Sequence, residues 1–188
     1  MQVYLRSILL GIGLAMDACA VSMANGLKEP KMLLRKILLI AFLFGFFQAM
    51  MPLIGYFIGH AFIEFIENFI PWIALVLLGL IGGNMLISGI KNKEEEDKHD
   101  KLSLKVLLIQ AVATSIDALS VGLTIADYTI MEAVISAIII AIVTFGICVG
   151  AVFIGKKFGT KLGNKAEILG GIILIGIGLE IFITGMFF

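Results

Sequence analysis

The sequence predicts an all-α integral membrane protein of six transmembrane helices. They form two inverted-topology three-helix repeats, with both termini extracytoplasmic. Three observations predict it: an excess of apolar residues, six apolar runs of span length, and cationic loops that alternate with acidic ones. Of the 188 residues, 60% are hydrophobic and 15% charged, and the mean hydropathy is +1.09. A soluble domain is about a quarter charged. This chain lacks the polar surface to cover so many apolar side chains, so lipid must be the solvent.

A helix crossing the ~30 Å hydrocarbon core needs about 20 apolar residues. Six segments meet that length: roughly 3–26, 36–60, 70–90, 105–126, 130–155 and 166–187. They consume most of the chain and leave no soluble domain of useful size. They also lack the short alternating pattern of an outer-membrane barrel. The 21 glycines suit close packing of helices in lipid.

In the first span, Ala18-Cys19-Ala20 resembles a signal-peptidase site after an apolar run. The run continues to Gly26, so this segment is expected to stay as a helix. Gly13, Asp17, Val21 and Asn25 share one face of it, with Gly13 expected to let another backbone come close. The second span carries Gln48 one turn before Pro52. Pro52 removes a helical bond and can turn a carbonyl toward a cavity, while His60 reads as interfacial. The third span contributes Asn84. In the fourth, Gln110, Thr114, Asp117 and Thr124 fall on one helical face, with Ser120 one turn beyond Asp117. The fifth holds Cys148 which, like Cys19, reads as a small buried hydrophobe. The sixth holds Glu180.

Thirteen of the 14 Lys and Arg residues lie in alternate loops. Lys28, Lys31, Arg35 and Lys36 follow the first span. Lys91, Lys93, Lys98, Lys101 and Lys105 follow the third, and Lys156, Lys157, Lys161 and Lys165 follow the fifth. The other loops carry only acids, such as Glu64, Glu67, Asp127 and Glu132. Cationic loops stay in the cytoplasm, which puts both termini outside. Three spans per half is an odd number, so related halves must enter the membrane from opposite sides.

The halves do look related. "GLAMDACAV" from residue 13 aligns with "ATSIDALSV" from 113, and "IGGNMLISG" from 81 with "IGLEIFITG" from 177. "FG" at 44 and 145 marks the middle pair. The expected organisation is a first repeat over 1–90, a polar cytoplasmic linker over 91–104 and a second repeat over 105–188.

Asp17 lies about 21 Å from the outer end of its span and Asp117 roughly 18 Å from the inner end of its own, at ~1.5 Å per residue. Both therefore come to rest near the midplane. An ionisable group there costs on the order of 3 kcal/mol or more and marks function by default. No Lys or Arg lies deep in any span, so a bound cation is the expected neutraliser, against the alternative of protonated carboxyls bonded between helices. Asp17 and Asp117 are the candidate metal ligands. Glu180, Gln48, Asn84, Asn25, Thr114 and Ser120 are candidates for the metal or proton pathway, and Gly13 and Pro52 for packing and hinging. Carboxylate, amide and carbonyl oxygens suit hard divalent ions. Met16, Met50 and Met51 read as packing residues, the commoner role for methionine, with soft ligation as the lesser alternative.

"GLAMDACAVSMANGL", "GFFQAMMPLIGYFIG", "GGNMLI", "ATSIDALSVGL" and "NKAEILGGIILIGIGLEI" resemble, in that order, the MntP family of bacterial manganese efflux pumps. The resemblance spans essentially the whole chain. It implies a six-helix exporter of cytoplasmic Mn²⁺ in the bacterial plasma membrane, with Asp17 and Asp117 at the two family Asp positions. Some members carry Glu where this chain has Gln48, and Gln where it has Glu180.

"GAVFIGKK" (150–157) mimics a P-loop, but Lys157 stands where Ser or Thr is needed and the setting is a membrane helix end. Export must then be secondary. Moving a divalent cation out against an inside-negative 100 mV costs about 4.6 kcal/mol, at ~2.3 per charge, so a counter-ion is needed. Proton antiport is the expectation, because metal binding to carboxylates displaces protons. Mn²⁺ is then cargo, with no resident cofactor and no nucleic-acid partner. Monomer and homodimer are equally open. The rival readings are an exporter of another divalent or small organic cation and, remotely, an intramembrane aspartyl protease. The protease needs two carboxyls sharing a proton. Thr-Ser-Ile-Asp and Leu-Ala-Met-Asp lack the Gly-x-Gly-Asp sequence of such proteases, so a transporter rather than an enzyme is expected.

Overall fold

The computed structural model describes residues 2–58, 70–90, 102–125, 128–162 and 165–187. Every regular element among them is helical. These are α1 (Gln2–Lys28), α2 (Leu34–Ile58), α3 (Ile70–Ile90), α4 (Leu104–Ala113), α5 (Ala118–Thr124), α6 (Ile130–Leu162) and α7 (Lys165–Phe187). Three stretches, Val3–Lys28, Leu34–Ile58 and Ile130–Gly159, are long and apolar enough to cross a bilayer. Large apolar side chains such as Leu5, Leu80 and Ile142 face outward from the bundle, which only a lipid solvent tolerates in this number. The chain is an integral membrane protein. His60, His99 and most of the 91–104 linker lie outside the described residues, as do the side chains of Ser88, Thr124 and Thr184.

One expected span is corrected. Residues 105–126 do not form a continuous helix: α4 stops at Ala113 and α5 starts at Ala118. Between them the ladder tightens from i→i−4 to i→i−3 bonds, with Ser115 N donating to Val112 O, Ala118 N to Ser115 O and Leu119 N to Ile116 O, all at 3.0–3.1 Å. The cause is local chemistry. Thr114 Oγ1 donates to Gln110 O at 2.9 Å and Ser115 Oγ to Ala111 O at 2.8 Å. Two adjacent hydroxyls thus compete with the backbone for the same acceptors. Gln110, Thr114, Asp117 and Thr124 therefore do not share one uninterrupted helical face.

Nearly all packing crosses between residues 2–90 and residues 104–187. The larger interfaces are α1 with α6, α3 with α7, α2 with α6, α2 with α5 and α1 with α7. Smaller ones join α4 to α2 and to α3. Exchanging α1 with α4–α5, α2 with α6 and α3 with α7 maps this set of interfaces onto itself. The main core is correspondingly shared: Ala18, Val21, Ile40 and Phe44 pack with Leu107, Cys148, Val152 and Leu174.

Glycines set how close these helices come. At the α1–α6 crossing, a Cβ on Gly26 would stand 3.1 Å from Gly155 Cα, and one on Gly155 would overlap the Met23 carbonyl. At the α2–α5 crossing, a Cβ on Gly122 would meet Pro52 O at 2.5 Å and Gly55 C at 2.7 Å. At the α3–α7 crossing, Gly82 and Gly171 each face the other's carbonyl. Backbone touches backbone at all three, where any larger residue would hold the helices apart.

The two ends of the bundle differ. At one, Lys156 Nζ donates to Met32 O at 2.6 Å, Lys36 pairs with Glu29, and Gly159 abuts Pro30. At the other, Tyr56 Oη donates to Tyr128 O at 2.7 Å. Nearby in sequence, Ser7 Oγ donates to Ser136 Oγ at 2.9 Å. The first end gathers the cationic segments that follow α1 and close α6.

Gly155→Ala is expected to cost about 1–3 kcal/mol through overpacking. Gly146, around which a Cβ would find open space, should accept Ala freely. Thermal unfolding of the two variants in the same detergent checks this, and equal midpoints would dismiss the crossing as a constraint.

Candidate functional site

Asp17 sits half-buried within α1. Asp117, exposed, is the last residue of the break between α4 and α5, and its Oδ1 accepts from Ala118 N at 2.9 Å. The Ala118 amide is shared between this carboxylate and Ser115 O. The two acids lie within electrostatic reach of one another, and Glu180 on α7 lies within reach of Asp17. The ion pair of Lys36 with Glu29 is at the bundle end. Neither Asp17 nor Asp117 has one.

Gln48 is buried and donates through Nε2 to Leu14 O, one turn before Asp17, while its Oε1 has no hydrogen-bond partner. Asn25 is fully buried and donates through Nδ2 to Gln110 Oε1 at 2.8 Å. Thr114 is buried and committed to its own helix, and Ser120 is half-buried. Asn84 and Glu180 fall on exposed faces, Asn84 beside Leu80 and Ile87.

One further expectation is corrected, and the lesser reading of the methionines falls away. Gly13 does not admit another backbone: a Cβ there would find nothing within 4 Å, because it borders a cavity. Met16 and Met50 are exposed, and Met51 packs against Leu14, Ala118 and Ile140. The first two therefore point away as ligands, and the third is occupied with packing. Pro52 is buried where α2 crosses α5, and its carbonyl faces Gly122.

The cavity holds about 590 Å³ between α1 and the segment around α5. Arg6, Gly13 and Leu14 line one side and Val121, Ile125 and Tyr128 the other. Leu14 is one turn from Asp17 and Val121 one turn from Asp117, but neither acid lines the cavity, which is open along the exposed Leu9 side. Sequence reading missed Thr144, whose buried hydroxyl on α6 has no hydrogen-bond partner. Its signal was available: Ser136, Ile140, Thr144, Cys148 and Val152 recur every four residues and are all buried.

Among the described residues, no three His, Cys, Asp or Glu side chains gather closely enough to hold a metal by themselves. A divalent ion at the acids would complete its shell with amide or carbonyl oxygens or water, as small hard cations commonly do.

Fold and composition define the class: a helical membrane protein that carries acids along its apolar segments. A family model described as "Putative manganese efflux pump" matches residues 31–182. The chain belongs to this family. Three relatives carry that same description with the family symbol MntP. One from Ruminiclostridium cellulolyticum is 48% identical over 182 residues, covering 96% of both chains. One from Rippkaea orientalis is 43% identical, covering 97% of both. One from Clostridium perfringens is 42% identical, covering 94% of this chain and 92% of its own. No solved structure matches the chain.

Asp117→Asn keeps a side-chain oxygen for the Ala118 amide, whereas Asp117→Ala removes it. The alanine variant is expected to lose about 0.5–1.5 kcal/mol of stability, the net worth of one hydrogen bond, and the asparagine variant much less. Thermal unfolding of both would show it, and equal losses would mean that this bond contributes nothing.

Proposed function

We propose that this protein exports Mn²⁺ from the cytoplasm across the bacterial plasma membrane by exchange for protons, with Asp17 and Asp117 as the alternating carriers of metal and proton. The observation that carries the reading is that two carboxylates from separate halves of the chain lie within electrostatic reach of one another, neither in an ion pair. Family membership supports manganese as cargo and a transporter rather than an enzyme. The set of interfaces that survives exchange of the halves supports an inverted repeat of six spans with a site at the repeat interface.

The exchange follows from charge. A divalent ion between two carboxylates leaves the site neutral, and so do two protons, whereas empty ionised acids in a low-dielectric span are unfavourable. The protein therefore crosses between its two open states loaded with metal or loaded with protons. Release of metal outside leaves two carboxylates that protonate there, and deprotonation inside readies them for the next ion. Each cycle then moves two charges in either direction, so the membrane potential drops out and the proton concentration gradient drives export.

Purified protein is expected to bind Mn²⁺ saturably, more weakly as the pH falls. Asp17→Asn and Asp117→Asn should each abolish that binding while leaving a folded protein. Calorimetry of the three proteins across mildly acidic to mildly alkaline pH decides the matter. Unchanged binding in the variants would remove the two acids from the site, and pH-independent binding would remove the proton.

A further inference from the structure

We propose that the Asn25–Gln110 hydrogen bond is the cytoplasmic gate of the ion path, closed in this structure while the cavity on the opposite side stands open. The inference rests on the orientation and transport role proposed above.

Position is the first argument. Asn25 lies about two turns beyond Asp17 toward the end that gathers Lys28, Lys36 and Lys156, and Gln110 lies about two turns from Asp117 in the same direction. The open groove bordered by Gly13 and Val121, one turn from each acid, lies on the other side of them. The buried amide pair thus sits on the cationic side of the acids and the groove on the opposite side.

Burial and bonding are the second argument. Both amides are fully buried and are joined at 2.8 Å. Asn25 Oδ1 and Gln110 Nε2 nevertheless have no hydrogen-bond partner. Turning both amides over would exchange the roles and still leave one donor and one acceptor unmet. A buried polar group without a partner costs about 1–3 kcal/mol, so the closed pair carries a standing penalty that water or a hydrated ion would relieve on opening. A purely structural pair in a core this apolar would be replaced by aliphatic side chains without such loss.

Mechanics supply the third argument. The bond joins α1 to α4, the helices that lead into the two acids. Each is anchored elsewhere, α1 on α6 and α7, α4 on α2 and α3, and the two share no extensive interface. Few contacts oppose their separation besides this bond. Breaking it opens a route from the cationic end to Asp17 and Asp117, and the freed amide oxygens suit a hard divalent ion in passage.

The test uses the full-length protein with Cys19→Ala and Cys148→Ala, and Ser22→Cys as a buried reporter between Asn25 and Asp17. Membrane vesicles of both orientations are exposed to a membrane-impermeant methanethiosulfonate. Adding Asn25→Ala or Gln110→Ala should speed labelling from the cytoplasmic face about three- to tenfold, the population change that one hydrogen bond controls. The exchanged pair, Asn25→Gln with Gln110→Asn, should restore slow labelling. Equal rates in all proteins would overturn the gate, and so would acceleration confined to the opposite face. Labelling reads the gate whether or not Mn²⁺ moves, so Mn²⁺ efflux measured in the same vesicles tests the cargo separately.

Discussion

A backbone within a bilayer has no water to satisfy its amides and carbonyls, and every special feature of this fold answers to that constraint. Elsewhere a broken helix is unremarkable; here the break at 114–117 survives because its own side chains re-satisfy it. Thr114 and Ser115 turn their hydroxyls back onto the carbonyls of the preceding turn, and Asp117 receives the first amide of the next helix. The same residues place a carboxylate at a helix start, where the dipole and the free amides favour negative charge. Ala118 N turns to Ser115 O instead of its helical acceptor, which releases the Thr114 carbonyl. The break therefore places a freed carbonyl oxygen beside a carboxylate, where a continuous helix would keep that carbonyl bonded.

Close approach of the helices follows from a related demand. Lipid tails are as apolar as leucine, so burial between helices gains little over burial in lipid, and dispersion at short range must hold the bundle together. The Gly26–Gly155, Gly55–Gly122 and Gly82–Gly171 contacts provide that range. All three join one half of the chain to the other. Interlocking of this kind means that neither half retains a core when the other moves. Relative motion of the halves is then confined to pairs that are not glycine-locked, α1 against α4 among them.

Much of this was legible in the sequence because lipid imposes a length and a composition. The helix bounds of α1, α2, α3 and α7 fall within a few residues of the apolar runs that announced them, and Asp17 and Asp117 stood out as charges without partners. What the sequence concealed was local competition and rotational phase. Thr114-Ser115 looked like two helical polar residues; only their joint claim on the carbonyls of Gln110, Ala111 and Val112 ends the helix. Gly13 looked like a packing glycine because small residues usually are, yet the face it occupies borders open volume. Met16 and Met50 neighbour key residues in sequence but face outward, a matter of angle around the helix that adjacency does not reveal. Asn25 and Gln110 were each visible as polar residues, but their meeting depends on α1 and α4 converging, which no local pattern encodes.

The two halves satisfy the turn before each acid by different means, and the difference bears on which acid can move. Aligning the repeats sets Leu14-Ala15 opposite Thr114-Ser115. The second half bends its own backbone with its own hydroxyls. The first half has none at those positions and keeps a continuous α1, and there Gln48 reaches across from α2 to bond the Leu14 carbonyl. A carbonyl already engaged in its helix accepts this second bond without surrendering the first, so the α1 turn is held from outside instead of being broken. Asp17 is thereby fixed to a rigid rod that is locked to α6 by glycine contact. Asp117 rides on a joint between two short helices, α5 being clasped to α2 at Gly55 and α4 joined to α1 through Gln110. A site built from one fixed and one jointed carboxylate can change its spacing by flexing a single hinge. For the exchange proposed above, such a joint would let the two acids close around an ion from one side and part from it on the other without dismantling the core that holds them.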